Sequence, residues 1–221
     1  MKLAVTGASG FIGKYVLREL SSSSHQIIAI SRNPSLIKDE FENIETLTLD
    51  INDCVYDDLF EKLGRPDLLI HLAWEGLPNY KSTFHFERVL PNQFNFLKNL
   101  INQGLSSIFI TGTCFEYGNI SGSISSEVKT HPINPYGFAK DNLRKQLEFL
   151  QKEFEFEFIW ARLFYIYGHG QAESSLYTSL KNAVKRGDKV FNMSGGEQIR
   201  DFLPVDVVAS KIVDYSLNLK G

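Results

Sequence analysis

The chain has 221 residues, 43% hydrophobic and 22% charged, with a formal net charge of -3. That is an ordinary globular composition with enough chain to bury a substantial core. A small acidic excess supplies no basic field, so nucleic acid and anionic membrane surfaces are excluded as main partners. No apolar run approaches a membrane span, and Met1-Lys2-Leu3-Ala4-Val5 enters a strand pattern directly instead of a signal peptide. Cys54 and Cys114 lie far apart, without metal-ligand spacing, and read as reduced thiols. A cytoplasmic protein without a metal centre is expected.

Strand and helix patterns alternate from the first residue. Leu3 to Thr6 is a short buried strand, followed by a glycine turn and a helix from Phe11 to about Leu20. Further apolar strands fall at 26–30, 44–49, 67–72, 107–111 and 156–163, with helices at about 54–63, 84–103 and 135–153. Near-continuous apolar strands in βα alternation predict an α/β fold: a doubly wound parallel sheet covered on both faces, with ligands at the carboxyl ends of the strands. After residue 164 the alternation loosens into a turn at 167–170, a helix at about 172–186, an extended stretch at 201–205 and a last helix near 205–218. That tail reads as part of a smaller, substrate-side lobe.

Thr6-Gly7-Ala8-Ser9-Gly10-Phe11-Ile12-Gly13 follows a strand and opens a helix. Gly7 suits a tight turn, Gly10 a close approach of pyrophosphate, and Gly13 tight helix–sheet packing. The free N–H groups of the helix start favour phosphate, so Gly7, Ser9, Gly10, Phe11, Ile12 and Gly13 are candidate dinucleotide contacts. At the end of the second strand stand Ser31-Arg32-Asn33, with no carboxylate until Asp39. A guanidinium and a hydroxyl suit a 2′-phosphate, so NADP is preferred over NAD here, with Ser31 and Arg32 as its contacts. Asp50-Ile51, after the third strand, could meet the adenine. The expected division is a dinucleotide-binding domain over 1–165 and a partial substrate lobe over 166–221.

Asn134-Pro135-Tyr136-Gly137-Phe138-Ala139-Lys140 predicts a helix with Asn134 as N-cap and Pro135 in its first turn. Tyr136 and Lys140 then share one face, and a fixed ammonium would bring a phenol toward a working pKa. The pair is a candidate general acid/base.

Gly7, Gly10 and Gly13, Thr113 near the end of strand five, and Tyr136 with Lys140 together resemble the extended short-chain dehydrogenase/reductase family, in its nucleotide-sugar epimerase/dehydratase branch. His71-Leu72-Ala73, Tyr117-Gly118, Arg162 to Gly168 and Arg200 to Asp206 add to the resemblance. It implies a Rossmann-type fold and hydride transfer at a sugar carbon of a nucleotide-diphosphate sugar, with Leu72 and Ala73 also on the cofactor. Residues 111–118 and 74–80 look most like the branch that reduces 4-keto-6-deoxy nucleotide sugars at C4. The implied roles are proton exchange by Tyr136, support of that phenol and the nicotinamide ribose by Lys140, orientation of the sugar oxygen by Thr113, and diphosphate binding by Arg200. Relatives that dehydrate place Asp-Glu directly after the Thr, where this chain has Cys114 and Phe115. Glu116 comes one residue late and on an extended strand would face away. Dehydration is therefore disfavoured, leaving reduction or 4-epimerisation; a non-catalytic NADP-binding regulator is the alternative from another class. The stop at Gly221 implies an incomplete substrate lobe, and a homodimer through the helices at 84–103 and 135–153 is expected.

Overall fold

The computed structural model describes residues 1–53 and 57–219. Cys54 and the beginning of the helix expected at about 54–63 lie outside the described residues. Six strands form one sheet: β1 (Lys2–Thr6), β2 (Gln26–Ser31), β3 (Glu45–Thr48), β4 (Leu68–His71), β5 (Ser107–Thr113) and β6 (Glu157–Leu163). Their order is β3-β2-β1-β4-β5-β6 and every pairing is parallel. The helices are α1 (Phe11–Ser21), α2 (Ser35–Lys38), α3 (Leu59–Lys62), α4 (Leu90–Asn102), α5 (Pro135–Leu150), α6 (Leu176–Arg186) and α7 (Val205–Leu217). Two short strands, β7 (Tyr165–Tyr167) and β8 (Phe202–Pro204), pair in parallel as a separate ribbon.

The apolar strands read as they do because both sheet faces are covered. Leu3, Val5, Leu68, Ile70 and Phe109 point to one face, against Val16, Leu17 and Leu20 of α1 and Val208, Ala209, Ile212 and Val213 of α7. Ala4, Leu69, Ile108 and Ile110 point to the other, against Phe96, Leu97 and Leu100 of α4 and Leu143, Leu147 and Leu150 of α5. Each leucine so buried is worth about 1.5–3 kcal/mol, so apolar faces hold these helices more than propensity does. Helix α7, expected with the smaller lobe, thus packs on α1 and completes the large domain. Ile166 of β7 and Leu203 of β8 pack against the same core from its edge.

The helix expected over 84–103 is two pieces. His85–Val89 is a π turn that passes into α4. Pro91, in the first turn of α4, has no N–H to give and crowds the carbonyl four residues back, and the wider turn relieves that crowding. Helix α6 starts at Leu176, later than expected, because the Ser175 side chain caps it through Thr178 N at 3.3 Å. β1 and β4 are neighbours although β2 and β3 separate them in sequence. The strand order reverses there and opens a crevice at the carboxyl ends.

Candidate active site

That crevice is a cleft of about 340 Å³. Gly7, Ser9 and Gly10 line it from the β1 turn, Ser31 and Arg32 from β2, Asp50 and Ile51 from β3, and Leu72 and Ala73 from β4. The sequence candidates from four separate loops therefore converge. Gly7 has φ +68°, and a side-chain carbon there would stand 2.8 Å from Ala73 N. One on Gly13 would stand 2.2 Å from the Gly7 carbonyl. The β1 turn thus lies flat on the β4 exit and on its own helix, which no other residue would allow. Gly10 is the N-cap of α1 and supplies no side-chain cap, so the first-turn N–H groups keep room for an anion. A cradle of bare backbone, with no side chain where a pyrophosphate would lie, fits a dinucleotide. Phe11 and Ile12 lie behind that cradle in α1, with the Phe11 ring edge-on to Tyr15 at 6.1 Å.

Beneath the cleft, His71 is fully buried between Thr6 Oγ1 at 2.9 Å and Gln93 Oε1 at 2.6 Å. Burial, with the Lys140 charge adding to it, pushes its pKa down to about 3, so the ring is a neutral tie between β1 and β4.

Across Trp74 lies the second half of the site. Helix α5 begins as expected: the Asn134 side chain accepts from Gly137 N at 2.8 Å, and Pro135 occupies the first turn. A side-chain carbon on Gly137 would stand 2.5 Å from the Phe115 carbonyl. The close approach sets Tyr136 against the turn that follows β5, with its hydroxyl beside the Thr113 side chain. Tyr136 is buried in a ring cluster of His85, Tyr80, Trp74 and Phe115, with centroids 5.3, 5.6, 5.9 and 6.2 Å away. Burial drives the phenol above the ordinary tyrosine range, and the neighbouring Thr113 hydroxyl pulls it partly back.

Lys140 is also buried. Its ammonium donates to the Thr111 carbonyl at 2.7 Å and sits 4.1 Å from the Trp74 ring centroid. Burial brings its pKa from 10.5 down to about 7, opposed by the charge of Glu116. The sign of the consequence is fixed. Between about pH 7 and 10.5 the unfolded chain holds a proton that the folded chain has released, so stability of the ligand-free protein rises across that window. The rise is on the order of 5 kcal/mol. Urea denaturation of wild type and Lys140→Met at a series of pH values checks this: the variant should lose the rise, and parallel curves would contradict the assignment.

Glu116 does not face away on an extended strand. The chain turns at Cys114–Glu116 into a single 3-10 turn, in which Thr113 Oγ1 accepts from Phe115 N at 3.3 Å and Glu116 Oε1 accepts from Thr113 N at 2.8 Å. The carboxylate is fully buried, takes Arg162 Nε at 2.6 Å and receives Trp160 Nε1 at 3.0 Å. Its role is to fix Thr113. Beside it the Cys114 thiol is neutral, pushed up by burial, and lies within electrostatic reach of Arg200. Arg200 itself is exposed, bonded to Gln198 and stacked 4.4 Å over the Tyr165 ring. It stands at the open side of the site rather than in it.

Residues 3–215 match the model of the NAD dependent epimerase/dehydratase family. The dTDP-6-deoxy-L-talose 4-dehydrogenase (NAD(+)) of Aggregatibacter actinomycetemcomitans is 29% identical over 213 residues, 96% of this chain and 78% of that protein. The GDP-6-deoxy-D-talose 4-dehydrogenase of the same organism is 28% identical over 222 residues, 93% of this chain and 67% of that one. Among solved structures, MoeE5 in complex with UDP-glucuronic acid and NAD superposes with TM-score 0.84 at 25% identity, over 100% of this chain and 73% of its own. A mutant UDP-glucuronic acid 4-epimerase from Bacillus cereus, in complex with UDP-4-deoxy-4-fluoro-glucuronic acid and NAD, reaches TM-score 0.83 at 22% identity, over 100% of this chain and 74% of that one, and shows the shared fold. The chain belongs to the NAD dependent epimerase/dehydratase family, a family of enzymes.

The NADP preference expected from Ser31 and Arg32 is corrected by these comparisons, because the dehydrogenase named first is an NAD(+) protein and the solved relatives hold NAD. The structure supplies the reason. The Ser31 hydroxyl is used internally, by Ser9 Oγ at 2.8 Å and the Asn33 carbonyl at 3.1 Å, and Arg32 is paired with Glu75 at 3.4 Å. Among the described residues no helix is long and apolar enough to cross a membrane.

Proposed function

We propose that this chain is an NAD-dependent oxidoreductase of nucleotide-diphosphate sugars that reduces a 4-keto-6-deoxy sugar at C4, or oxidises the corresponding alcohol. The observation that carries it is the buried Tyr136 hydroxyl beside Thr113, with a buried ammonium one helical turn behind it and a bare-backbone cradle across Trp74. The 4-dehydrogenases of 6-deoxytaloses among its relatives support the choice of substrate.

Gly7, Ser9, Gly10, Asp50, Ile51, Leu72 and Ala73 would hold the NAD, which when bound supplies the hydride acceptor or donor. The chain's own residues do the rest. Thr113 Oγ1 and the Tyr136 hydroxyl bind and orient the sugar oxygen, and the proton moves between that oxygen and Tyr136. The ammonium of Lys140 favours the phenolate as the proton leaves. A neutral thiol at Cys114 and a phenyl ring at Phe115 offer no acid–base pair for eliminating water. Arg200, on the open side, would meet the diphosphate, and β7, α6 and β8 would form the lobe that covers the sugar. A cytoplasmic homodimer through α4 and α5 completes the proposal. Phe149 is 65% exposed on α5, and a concentration-independent monomer in sedimentation would remove the dimer.

The test is a panel of 4-keto-6-deoxy nucleotide sugars offered with NADH, and of the reduced sugars offered with NAD, followed by nicotinamide absorbance. Turnover of one member is expected. Interconversion of sugars without net absorbance change would make the chain an epimerase, and dinucleotide binding without either would make it a binding protein.

A further inference from the structure

We propose that Glu75 is the carboxylate that selects NAD over NADP in this chain, supplied from the loop after β4 instead of the end of β2. This rests on reading the cleft as an NAD site. At the end of β2 an acidic residue ordinarily accepts from the ribose 2′-hydroxyl, while an arginine there accommodates a 2′-phosphate. Taken locally, Arg32 at this position invites the phosphate. The structure puts Glu75 in the same cleft, with Oε1 3.4 Å from Arg32 Nη1.

The carboxylate is held from its other side as well. Glu75 Oε2 accepts from Asn52 Nδ2 at 2.8 Å, and Asn52 is itself fixed by Asp50 Oδ1, which takes its backbone N and its Nδ2, each at 3.0 Å. Asn92 Nδ2 reaches Asn52 Oδ1 at 3.4 Å. Loops after β3 and β4 and the first turns of α4 therefore join to position one carboxylate. The Glu75 side chain is 30% exposed against 62% for Arg32, so the anion is the fixed partner and the guanidinium the loose one.

Two consequences follow for a dinucleotide. A ribose 2′-hydroxyl can donate to the carboxylate. A 2′-phosphate would have to take Arg32 from Glu75 and then stand beside that charge. The charged residues lining the cleft, among those described, are Arg32, Asp50 and Glu75, so two carboxylates face a single cation. Like charges brought together at a binding site suppress the wrong ligand strongly.

Glu75→Gln keeps the size of the side chain and an oxygen for Asn52, and removes only the charge. Calorimetric titration of NAD and NADP, and of 2′-AMP and 5′-AMP as probes of the adenosine end, should show NADP gaining on NAD by about ten- to a hundred-fold in the variant. The 2′-AMP should gain in parallel. Adding Arg32→Ala to the variant should abolish the gain, and Arg32→Ala alone should leave the NAD preference intact. Wild type that binds NAD, with an unchanged NADP to NAD ratio in Glu75→Gln, would overturn the role of Glu75 alone. Discrimination lost in Arg32→Ala alone would do the same. Wild type that binds neither dinucleotide would overturn the NAD reading and this inference together.

Discussion

Tyr136→Phe is expected to lower turnover by about 10²- to 10⁴-fold while leaving NAD affinity within about two-fold. The substitution removes one oxygen. The ring that remains still packs against Trp74, Tyr80, His85 and Phe115, so the local fold has no reason to change. The Thr113 hydroxyl beside that oxygen keeps its bond from Phe115 N, and the net cost to stability should stay within about 1 kcal/mol. What is lost is the group that moves the proton. Burial holds the free phenol above its ordinary range, so the hydroxyl rests protonated and poised to donate as the keto oxygen gains charge. In the other direction Lys140, while protonated, would favour its departure as phenolate. Steady-state kinetics with the sugar identified in the panel, beside NAD titration, check the split. Turnover within about ten-fold of wild type would remove Tyr136 from the chemistry.

Glu116→Ala is expected to destabilise the fold by about 3–5 kcal/mol, since it leaves a buried guanidinium uncompensated. Arg162 is 13% exposed and has little water to fall back on. The same change strips partners from Trp160 Nε1 and Thr113 N. Denaturant unfolding measures the loss, and a change below about 1 kcal/mol would show that the pair is not what holds the turn. Glu116→Gln should be milder, because an amide oxygen can still accept from Thr113 N. Thr113 is the link to function. Its hydroxyl is aimed by a turn that exists because Glu116 folds back under it.

The parts of the site legible in the sequence are those whose geometry is local. A strand, three glycines and a helix start define the cradle within eight residues, and an N-cap with a four-residue spacing places Tyr136 and Lys140. The Glu116 turn was also written locally, as Thr113-x-x-Glu116 just past a strand, the spacing of a capping box. The backbone turns there where an extended strand is expected, and the carboxylate folds back under Thr113. Pairings between distant segments were not legible. Arg32 and Glu75 meet only because β2 and β4 both flank β1, and Glu116 meets Arg162 through the β5–β6 register that sets Gly112 opposite Arg162. The NADP expectation fails for that reason: the partner of Arg32 lies 43 residues away, on another loop. The rings of Tyr80 and His85 were likewise invisible, although the aromatic crowding of residues 74–86 signalled a cluster. His85 Nδ1 accepts from Trp74 Nε1 at 3.2 Å and its Nε2 donates to the Asn79 carbonyl at 2.8 Å, so that loop is folded upon itself before it meets Tyr136.

The most direct measurement follows the hydrogen itself. NADH carrying deuterium at the transferable position, incubated with the protein and a 4-keto-6-deoxy nucleotide sugar, should give a product labelled at C4, with Tyr136→Phe yielding little of it in the same time. Label at another carbon, or an unlabelled product formed at an undiminished rate, would contradict hydride transfer at C4 beside Tyr136 and Thr113.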